Sequence, residues 1–244
     1  MTGPRTLATA GRVLRQLSHD HRSVALMLVA PSLLMGLFAW LYSGQPGVFD
    51  LLGGAILVLF PFIVMFLVTS IATLRERRSG TLERLMTTPL GKADFILGYA
   101  LAFGLMAVVE AVITVTFAVV VCGLDVAGSL WQMMLVAVAA AVLGTALGLL
   151  ASAFARTEFQ AVQFMPVLVF PQVLLGGLFM PRDLMPDALR VVSDWLPLSY
   201  AIDAVTAVRA GEGGWELWRP LLVVGAFGVV CLALASLTLR RRTP

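Results

Sequence analysis

The sequence predicts an all-α membrane protein with six transmembrane helices, and three observations support this. The 244 residues are 59% hydrophobic and 13% charged, with a mean hydropathy of +0.94, whereas a soluble domain has about 25% charged residues. The apolar residues form six runs that are long and lack period-two alternation, which favours helices over barrel strands. The basic residues concentrate in every second connection between these runs.

Each of the six runs reaches or exceeds the length of about 20 mostly apolar residues that a bilayer crossing requires. We place the spans at residues 23–42, 51–74, 95–121, 130–153, 161–180 and 220–239. Pro166 and Pro171 interrupt the fifth span, which predicts a kinked helix. One transmembrane domain therefore covers residues 23–239, between an N-terminal segment (1–22) and a short tail (240–244).

The positions of Lys and Arg set the predicted orientation. Thirteen of the 17 precede the first span, follow the sixth, or lie in the second and fourth connections. The other connections carry four of them and eight of the 14 acidic residues. The positive-inside rule then puts both termini and residues 75–94 in the cytoplasm, and residues 181–218 outside. The basic residues 240–242 would anchor the last span at anionic lipid headgroups.

Residues 6–18 have the pattern of an amphipathic helix lying in the cytoplasmic interface. One face carries the apolar residues Leu7, Ala10, Val13, Leu14 and Leu17, and the other carries Arg12, Arg15 and Gln16. The alternative is a disordered basic leader.

The outer segment 181–218 also shows helical spacing, on either side of Pro197. The repeated apolar residues are Leu189, Val192, Trp195 and Leu196 before it, and Ala201, Ala204, Val205 and Val208 after it. We predict two short re-entrant helices that dip back toward the bilayer, where protein or water must cover their ends. The alternative is a small solvated cap.

Several classes of function are excluded by missing motifs. Gly91 and Lys92 lack the upstream glycine of a phosphate loop, and Ala93 replaces its hydroxyl residue, so this chain should not hydrolyse nucleotide by itself. The only histidines, His19 and His21, precede the first span. The sequence contains neither G-x-S-x-G nor H-E-x-x-H, which argues against an intramembrane hydrolase or a zinc protease.

No metal site or nucleic-acid surface is indicated either. Cys122 and Cys231 lie far apart in or beside apolar runs, without the spacing of a zinc site or a disulfide framework. Outside the spans, no basic and aromatic surface remains that is large enough for nucleic acid. We expect no metal, cofactor or nucleic acid to bind this chain.

Residues 75–92 read RERRSGTLERLMTTPLGK. The pattern in this stretch consists of Glu76-Arg77, Gly80-Thr81-Leu82-Glu83, Leu85 and Thr88-Pro89-Leu90. It resembles the cytoplasmic loop of type-2 ABC exporter permeases. The same family is indicated downstream by Gly176-Gly177-Leu178-Phe179, Pro181, Leu196-Pro197-Leu198-Ser199-Tyr200 and Asp203. Within this family, the sequence most resembles the drug-exporter-like subgroup.

This resemblance implies a function and partners. Two permease subunits, here a homodimer, would pair with two copies of a separate ABC ATPase that binds ATP and Mg. Closure of the ATPases would drive alternating access and move a drug, lipid, glycan or peptide out across a bacterial plasma membrane. A non-transporting membrane anchor or sensor that recruits a soluble ATPase partner is the alternative.

The loop residues themselves are compatible with docking to a partner. Leu82, Leu85 and Met86 form a narrow apolar stripe, Gly80 would end the preceding helix, and Pro89 would end a short one. Such a helix can dock in a groove of a partner. The alternative is that the arginines only fix the orientation of the chain in the membrane. The predicted ATPase-coupling residues are Glu76, Gly80, Thr81, Leu82, Glu83 and Leu85.

Glu110 lies well inside the third span, where an ionised carboxylate costs about 2.5–3.5 kcal/mol. It should be protonated, hydrogen-bonded to Thr114 one turn on, or facing a wet cavity. It could line the substrate path or relay protons, or it could be a neutral carboxyl group that ties helices together. The predicted path residues are Glu110, Gln163, Gln172, Tyr200 and Asp203.

A stripe of small residues in the fourth span predicts close helix packing. Ala140, Gly144, Gly148 and Ser152 recur at four-residue spacing. We favour packing within one subunit over a seam between two.

Overall fold

The computed structural model describes residues 3–79 and 91–238. Within these two stretches the chain forms helices, turns and bends, and no strand. The α-helices are α1 (Gly3–His19), α2 (His21–Leu41), α3 (Pro46–Arg78), α4 (Lys92–Thr116), α5 (Leu130–Ala151), α6 (Glu158–Leu168), α7 (Phe170–Leu175), α8 (Asp187–Asp194), α9 (Pro197–Arg209) and α10 (Trp215–Thr238). A π-helical turn (Phe117–Val121) extends α4, and a 3₁₀ turn (Arg182–Leu184) precedes α8.

Six helical segments among the described residues are long and apolar enough to cross a membrane. They are α2, α3, α4 with its π-helical turn, α5, α6 with α7, and α10. The predicted fold class, all-α with six spans, is confirmed. The positions of α1, α8 and α9 relative to a bilayer stay predictions, and the tail 240–244 lies outside the described residues.

The helices of the second and fifth spans differ from their predicted bounds. The helix of the second span runs beyond residue 74, and Ser79 N still donates to Arg75 O at 2.9 Å. The first residues of the expected loop 75–94 are therefore helical. The fifth span divides at Val169, because Pro166 and Pro171 have no N–H for the helical hydrogen bonds around it.

The centre of the fold is the contact between α3 and α5. A Cβ atom on Gly144 would lie 2.3 Å from Phe62 O, and one on Gly148 would lie 2.6 Å from Phe66 O. Ala140 and Ser152, which complete the predicted stripe, are also buried. In the structure the stripe therefore faces α3 of the same chain, and the two backbones meet without side chains between them.

The helix α1 packs along α4. Its buried face consists of Thr6, Thr9, Ala10, Val13 and Leu17, whereas Leu7, which the sequence placed on the apolar face, is 66% exposed. A Cβ atom on Gly98 would lie 2.6 Å from Thr9 Cβ, which shows how closely the two helices approach. Two threonines thus occupy places expected for larger apolar residues, because α4 leaves little room beside Gly98.

The outer segment contains the two predicted short helices, α8 and α9, separated at Pro197. The face of α9 formed by Ala201, Ala204, Val205 and Val208 is buried, and α9 contacts α3, α5 and α10. A Cβ atom on Gly128 would lie 2.2 Å from Val208 O, so the end of α9 also touches the turn before α5.

We expect Gly144→Ala to lower the free energy of unfolding by about 1–3 kcal/mol, since the added methyl group overlaps the backbone of α3. Gly104→Ala, in α4, is the matched control because its Cβ would meet no atom within 4 Å. That change should be neutral or stabilise by about 0.5–1 kcal/mol through helix propensity. Thermal unfolding of the purified chain in detergent, followed by circular dichroism, measures both. Equal midpoints for the two variants would contradict the α3–α5 contact described here.

Candidate functional site

The C-terminal end of α3 with the residue that follows it, which we call the elbow (Arg75–Ser79), is the first part of the predicted coupling loop 75–94. Glu76 belongs to it, and its Oε1 accepts hydrogen bonds from Arg12 Nη1 and Gln16 Nε2, both at 3.0 Å. The side chain of Glu76 is only 13% exposed. Glu76 therefore links the elbow to α1.

Arg12 extends this link to α4. Its Nη2 donates to the hydroxyl oxygen of Tyr99 at 3.1 Å, and its guanidinium lies 5.9 Å from the centre of the Tyr99 ring. Burial alone would lower the pKa of Arg12, but Tyr99 and Glu76 outweigh burial and raise the pKa. Arg12 is therefore charged and connects the ends of α3 and α4 through α1.

A second interaction joins the elbow to α6. Arg75 Nε lies 2.8 Å from Glu158 Oε1, and Arg75 Nη2 lies 3.0 Å from Glu158 Oε2. The bidentate geometry fixes the orientation of both side chains. Both are largely exposed, so the pair contributes no more than about 1 kcal/mol to stability. The pair instead holds the start of α6 beside the elbow, because Glu158 is the first residue of the helix of the fifth span.

A third set of contacts holds the start of α4 against α1. Thr6 Oγ1 donates to Asp94 Oδ1 at 3.2 Å, and Gly91 N donates to Asp94 Oδ2 at 3.2 Å. Asp94 is buried, and its carboxylate satisfies an N–H group at the helix start. The two helix ends that flank residues 80–90 are thus both attached to α1.

An amphipathic groove of about 420 Å³ opens beside the elbow, between α1, α2, α3 and α4. Apolar side chains, including Leu17, Val68 and Phe103, form part of its wall, and Asp20 and Glu76 are among its polar groups. Asp20 is also the N-cap of α2, where Ser23 N and Ser23 Oγ donate to its carboxylate at 3.1 and 2.7 Å. These hydrogen bonds lower the pKa of Asp20.

The structure places only one of the predicted coupling residues, Glu76. The others lie outside the described residues: Gly80, Thr81, Leu82, Glu83 and Leu85. The site also contains residues that were not predicted for it from the sequence: Arg12, Gln16, Tyr99, Arg75 and Glu158. The sequence did contain one usable signal, the opposite charges of Arg75 and Glu158 at the predicted cytoplasmic ends of two spans.

The five predicted path residues do not form one group. Glu110 is fully buried in α4, and Gln163 is exposed on α6. Gln172 is buried where α7 meets α9: its Oε1 accepts from Leu198 N at 3.2 Å, and its Nε2 donates to Leu168 O at 2.8 Å. Gln172 therefore caps α9 and joins it to the fifth span.

Tyr200 and Asp203 lie together around Arg182, within residues 181–218. Arg182 forms salt bridges with Asp203 and Asp194 and lies 5.2 Å from the centre of the Tyr200 ring. The hydroxyl group of Tyr200 donates to Asp194 O at 2.8 Å. Burial raises the pKa of Asp203, and Arg182 opposes this effect. We call these four residues the outer cluster, and it joins α8 to α9.

Metal binding finds no support in the part of the chain that the structure describes. No three His, Cys, Asp or Glu side chains in residues 3–79 and 91–238 are grouped as ligands for a metal ion.

A double-mutant cycle of Arg12→Ala and Glu76→Ala should give a coupling free energy of about 1 kcal/mol or more, since the pair is half-buried and hydrogen-bonded. Each single variant should be less stable than the wild type, and the double variant should lose less than the sum. Arg15→Ala, an exposed arginine on the same helix, is the matched control and should have little effect. Chemical unfolding in detergent measures these values. Additive losses would show that Arg12 and Glu76 act independently.

The Asp20 cap predicts a pH dependence. Because hydrogen bonding lowers the pKa of Asp20 in the folded chain, its contribution is complete above the ordinary aspartate pKa of about 3.9. The contribution is lost as the pH falls through the lowered pKa. Asp20→Asn keeps an acceptor oxygen but no charge, so its thermal midpoint should approach that of the wild type as the pH falls from about 7 to about 3. Asp20→Ala should cost roughly 1 kcal/mol near neutral pH. A constant gap between wild type and Asp20→Asn at every pH would contradict the assignment.

Comparison with known proteins agrees with this architecture. The sequence profile of the ABC-2 type transporter family matches residues 5–209. ABC transporter G family member 20 of Dictyostelium discoideum is 24% identical over 196 residues, which cover 79% of this chain and 27% of that protein. The probable multidrug ABC transporter permease YbhR of Escherichia coli (strain K12) is 27% identical over 176 residues, 70% of this chain and 48% of the relative.

The inner membrane transport permease YhhJ of Escherichia coli (strain K12) is 24% identical over 192 residues, which cover 78% of this chain and 51% of the relative. The chain thus spans about half, or less, of the length of these curated relatives. The profile match covers most of the chain and runs from α1 to the end of α9. With six apolar helices among its described residues, this chain is a multi-pass membrane protein that belongs to the ABC-2 type transporter family.

Proposed function

We propose that the chain is the transmembrane permease subunit of an ATP-driven exporter and that a separate ABC ATPase supplies the energy. The observation that carries this proposal is that Glu76 and Asp94, near the two ends of the predicted coupling loop, both contact α1, and that Arg75 contacts α6. Two ATPase copies and a second permease copy, forming a homodimer, would complete the transporter. ATP and Mg would bind to the ATPase.

The contacts of the elbow support a route for the movement. A partner that displaces the loop would move the end of α3, and Glu76 would pass this displacement to α1 through Arg12 and Gln16. Arg75 would pass it to Glu158 and so to the inner half of the fifth span. Both connections are ionic or hydrogen-bonded rather than apolar, so they can exchange partners without exposing apolar surface to water.

The distribution of basic residues supports an orientation for the chain. The elbow belongs to the side that carries most of the lysines and arginines, which is the cytoplasmic side under the positive-inside rule. Both termini would then lie in the cytoplasm of a bacterium, and the outer cluster would face away from it. The named relatives from Escherichia coli are inner-membrane or multidrug permeases.

For the substrate path we retain Gln163 and Tyr200 as lining residues. Gln163 is exposed on α6, and Tyr200 is half-buried in the outer cluster. Gln172 and Asp203 would act by positioning α9, since their polar atoms contact Leu198 N and Arg182. Glu110 has no exposed area and would join the path only when the bundle opens. The substrate class is a drug, lipid, glycan or peptide, and the names of the relatives favour a drug.

Deleting the gene decides between export and the alternative, a membrane anchor or sensor. An exporter predicts that cells without the chain retain more of a dye or antibiotic and that the wild-type gene restores efflux. Unchanged efflux of every tested compound, with the ATPase still recruited to the membrane by the chain, would favour the anchor.

Charge reversal at Glu83 combined with Leu85→Asp should reduce co-purification of the ATPase and its stimulated ATP hydrolysis by about tenfold or more, since the apolar edge of a docking helix would then carry a charge. The matched control is Glu212→Lys with Leu189→Asp. Both of these residues are exposed, and they belong to residues 181–218, which would lie on the opposite side of the membrane in the proposed orientation. If the Glu83 and Leu85 double variant keeps both activities, the docking role of the loop is wrong.

A further inference from the structure

The groove beside the elbow has the composition of a binding site for an amphiphile, a molecule with a polar head and an apolar chain. Its volume of about 420 Å³ lies within the range of small-molecule sites, about 300–1,000 Å³. Side chains from α1, α2, α3 and α4 line it. The coupling route uses two of the lining residues, Arg75 and Glu76, and leaves the space of the groove itself unassigned.

Part of the groove is apolar and opens toward the face of α2 that would meet lipid. The apolar lining includes Leu17, Leu26, Val68, Ile71 and Phe103. Phe103 is fully buried, whereas Leu26 is 60% exposed. Val29 and Leu33 continue the face of Leu26 along α2, and both are 57% exposed. Because α2 is long and apolar enough to cross a membrane, the apolar lining is continuous with a surface for acyl chains.

The polar part of the groove combines opposite charges. Asp20 and Arg75 both line it. Hydrogen bonds from Ser23 lower the pKa of Asp20 most, and the positive charge of Arg75 lowers it further. Asp20 and Arg75 are therefore close enough to interact, and both are charged at neutral pH.

Two of the charged side chains retain capacity for a further partner. The pair with Glu158 uses Nε and Nη2 of Arg75, which leaves Nη1 without an acceptor in residues 3–79 and 91–238. Glu76 accepts from Arg12 and Gln16 on Oε1, and its buried Oε2 has no hydrogen-bond partner in the same stretches. A phosphate group could bind Arg75, and a cation beside Asp20 would also attract Glu76.

These charges favour a zwitterionic headgroup with a primary ammonium group. An anionic headgroup would bring its negative charge near Asp20 and Glu76, which would repel it. A quaternary ammonium group has no N–H bond, whereas a primary ammonium group has three donors for carboxylate oxygens. The guanidinium group of Arg75 matches the phosphate that such a lipid also carries.

We propose that the groove binds one phospholipid with an ethanolamine headgroup, taken from the bilayer leaflet on the side of the elbow. The ammonium group binds Asp20 and the phosphate binds Arg75. One acyl chain begins between Leu26, Val68 and Ile71 and continues along the exposed face of α2. The inference does not rest on the proposed function, because it concerns binding to the chain alone.

Native mass spectrometry of the purified chain in detergent tests the proposal. Three phospholipids with identical acyl chains and ethanolamine, choline or glycerol headgroups are titrated separately. The ethanolamine lipid should bind about fivefold more tightly than the other two, the factor expected for one partly exposed ion pair. Asp20→Asn keeps an acceptor for the helix cap and should remove this preference. Asp187→Asn, at an exposed aspartate of α8, is the matched control and should retain it.

A second pair of variants tests the position of the lipid. Ala72 is half-buried and lines the groove, so Ala72→Leu should weaken binding of the ethanolamine lipid by about tenfold, because the added methyl groups exclude ligand atoms from an apolar site. Ala233→Leu, on an exposed part of α10, is the matched control and should bind like the wild type. If Ala72→Leu does not fold, the Asp20→Asn comparison still decides.

Three results would overturn the proposal. Equal binding of the ethanolamine and choline lipids to the wild type, or tighter binding of the glycerol lipid, would show that the headgroup assignment is wrong. An ethanolamine preference that persists in Asp20→Asn would remove Asp20 from the site. Equal binding to Ala72→Leu and Ala233→Leu would show that the lipid lies elsewhere on the apolar surface.

Discussion

The direct approach of α5 to α3 is the constraint on which the rest of the fold depends. In a bilayer, helices gain little from apolar burial against one another, because lipid tails are equally apolar. Association therefore needs close backbone contact, which Gly144 and Gly148 permit. Once α3 is fixed in this way, α2, α6 and α9 can pack against its remaining faces. The same contact also fixes the position of the elbow, which is the end of α3.

Charged side chains are stabilised by different contacts at the two ends of α3. At the elbow, Glu76 and Arg12 are mostly removed from water, and each satisfies the other together with Gln16 and Tyr99. At the N-terminal end of α3, Arg209 of α9 donates to Leu51 O at 3.0 Å, and its stem lies against Gly54. Charged side chains from other helices therefore contact α3 at both ends, while its middle is joined to α5 by van der Waals contact.

The features that could be predicted from the sequence are those that depend on composition and on the regular spacing of residue types. Six apolar runs, the small-residue stripe and the two helices around Pro197 are local properties of the chain, and all appear as helices in the structure. The pairing of polar residues could not be predicted, because it depends on which helices become neighbours. Arg12 and Gln16 form the polar face of α1, and nothing local shows that Glu76 reaches them across 60 residues or more. The same reason explains why Gln172 was predicted to line a path, although its side chain caps α9.

The break at Val169 gives the fifth span two independent attachments. Its inner half begins at Glu158, which binds the elbow through Arg75, and its outer half contains Gln172, which binds the first turn of α9. Pro166 and Pro171 leave Val162 O and Val167 O without their usual helical donors, so the region between the halves resists bending less than a regular helix. A continuous helix would transmit every displacement of the elbow to its far end at once. A divided helix would let the half that binds the elbow move before the half that binds α9.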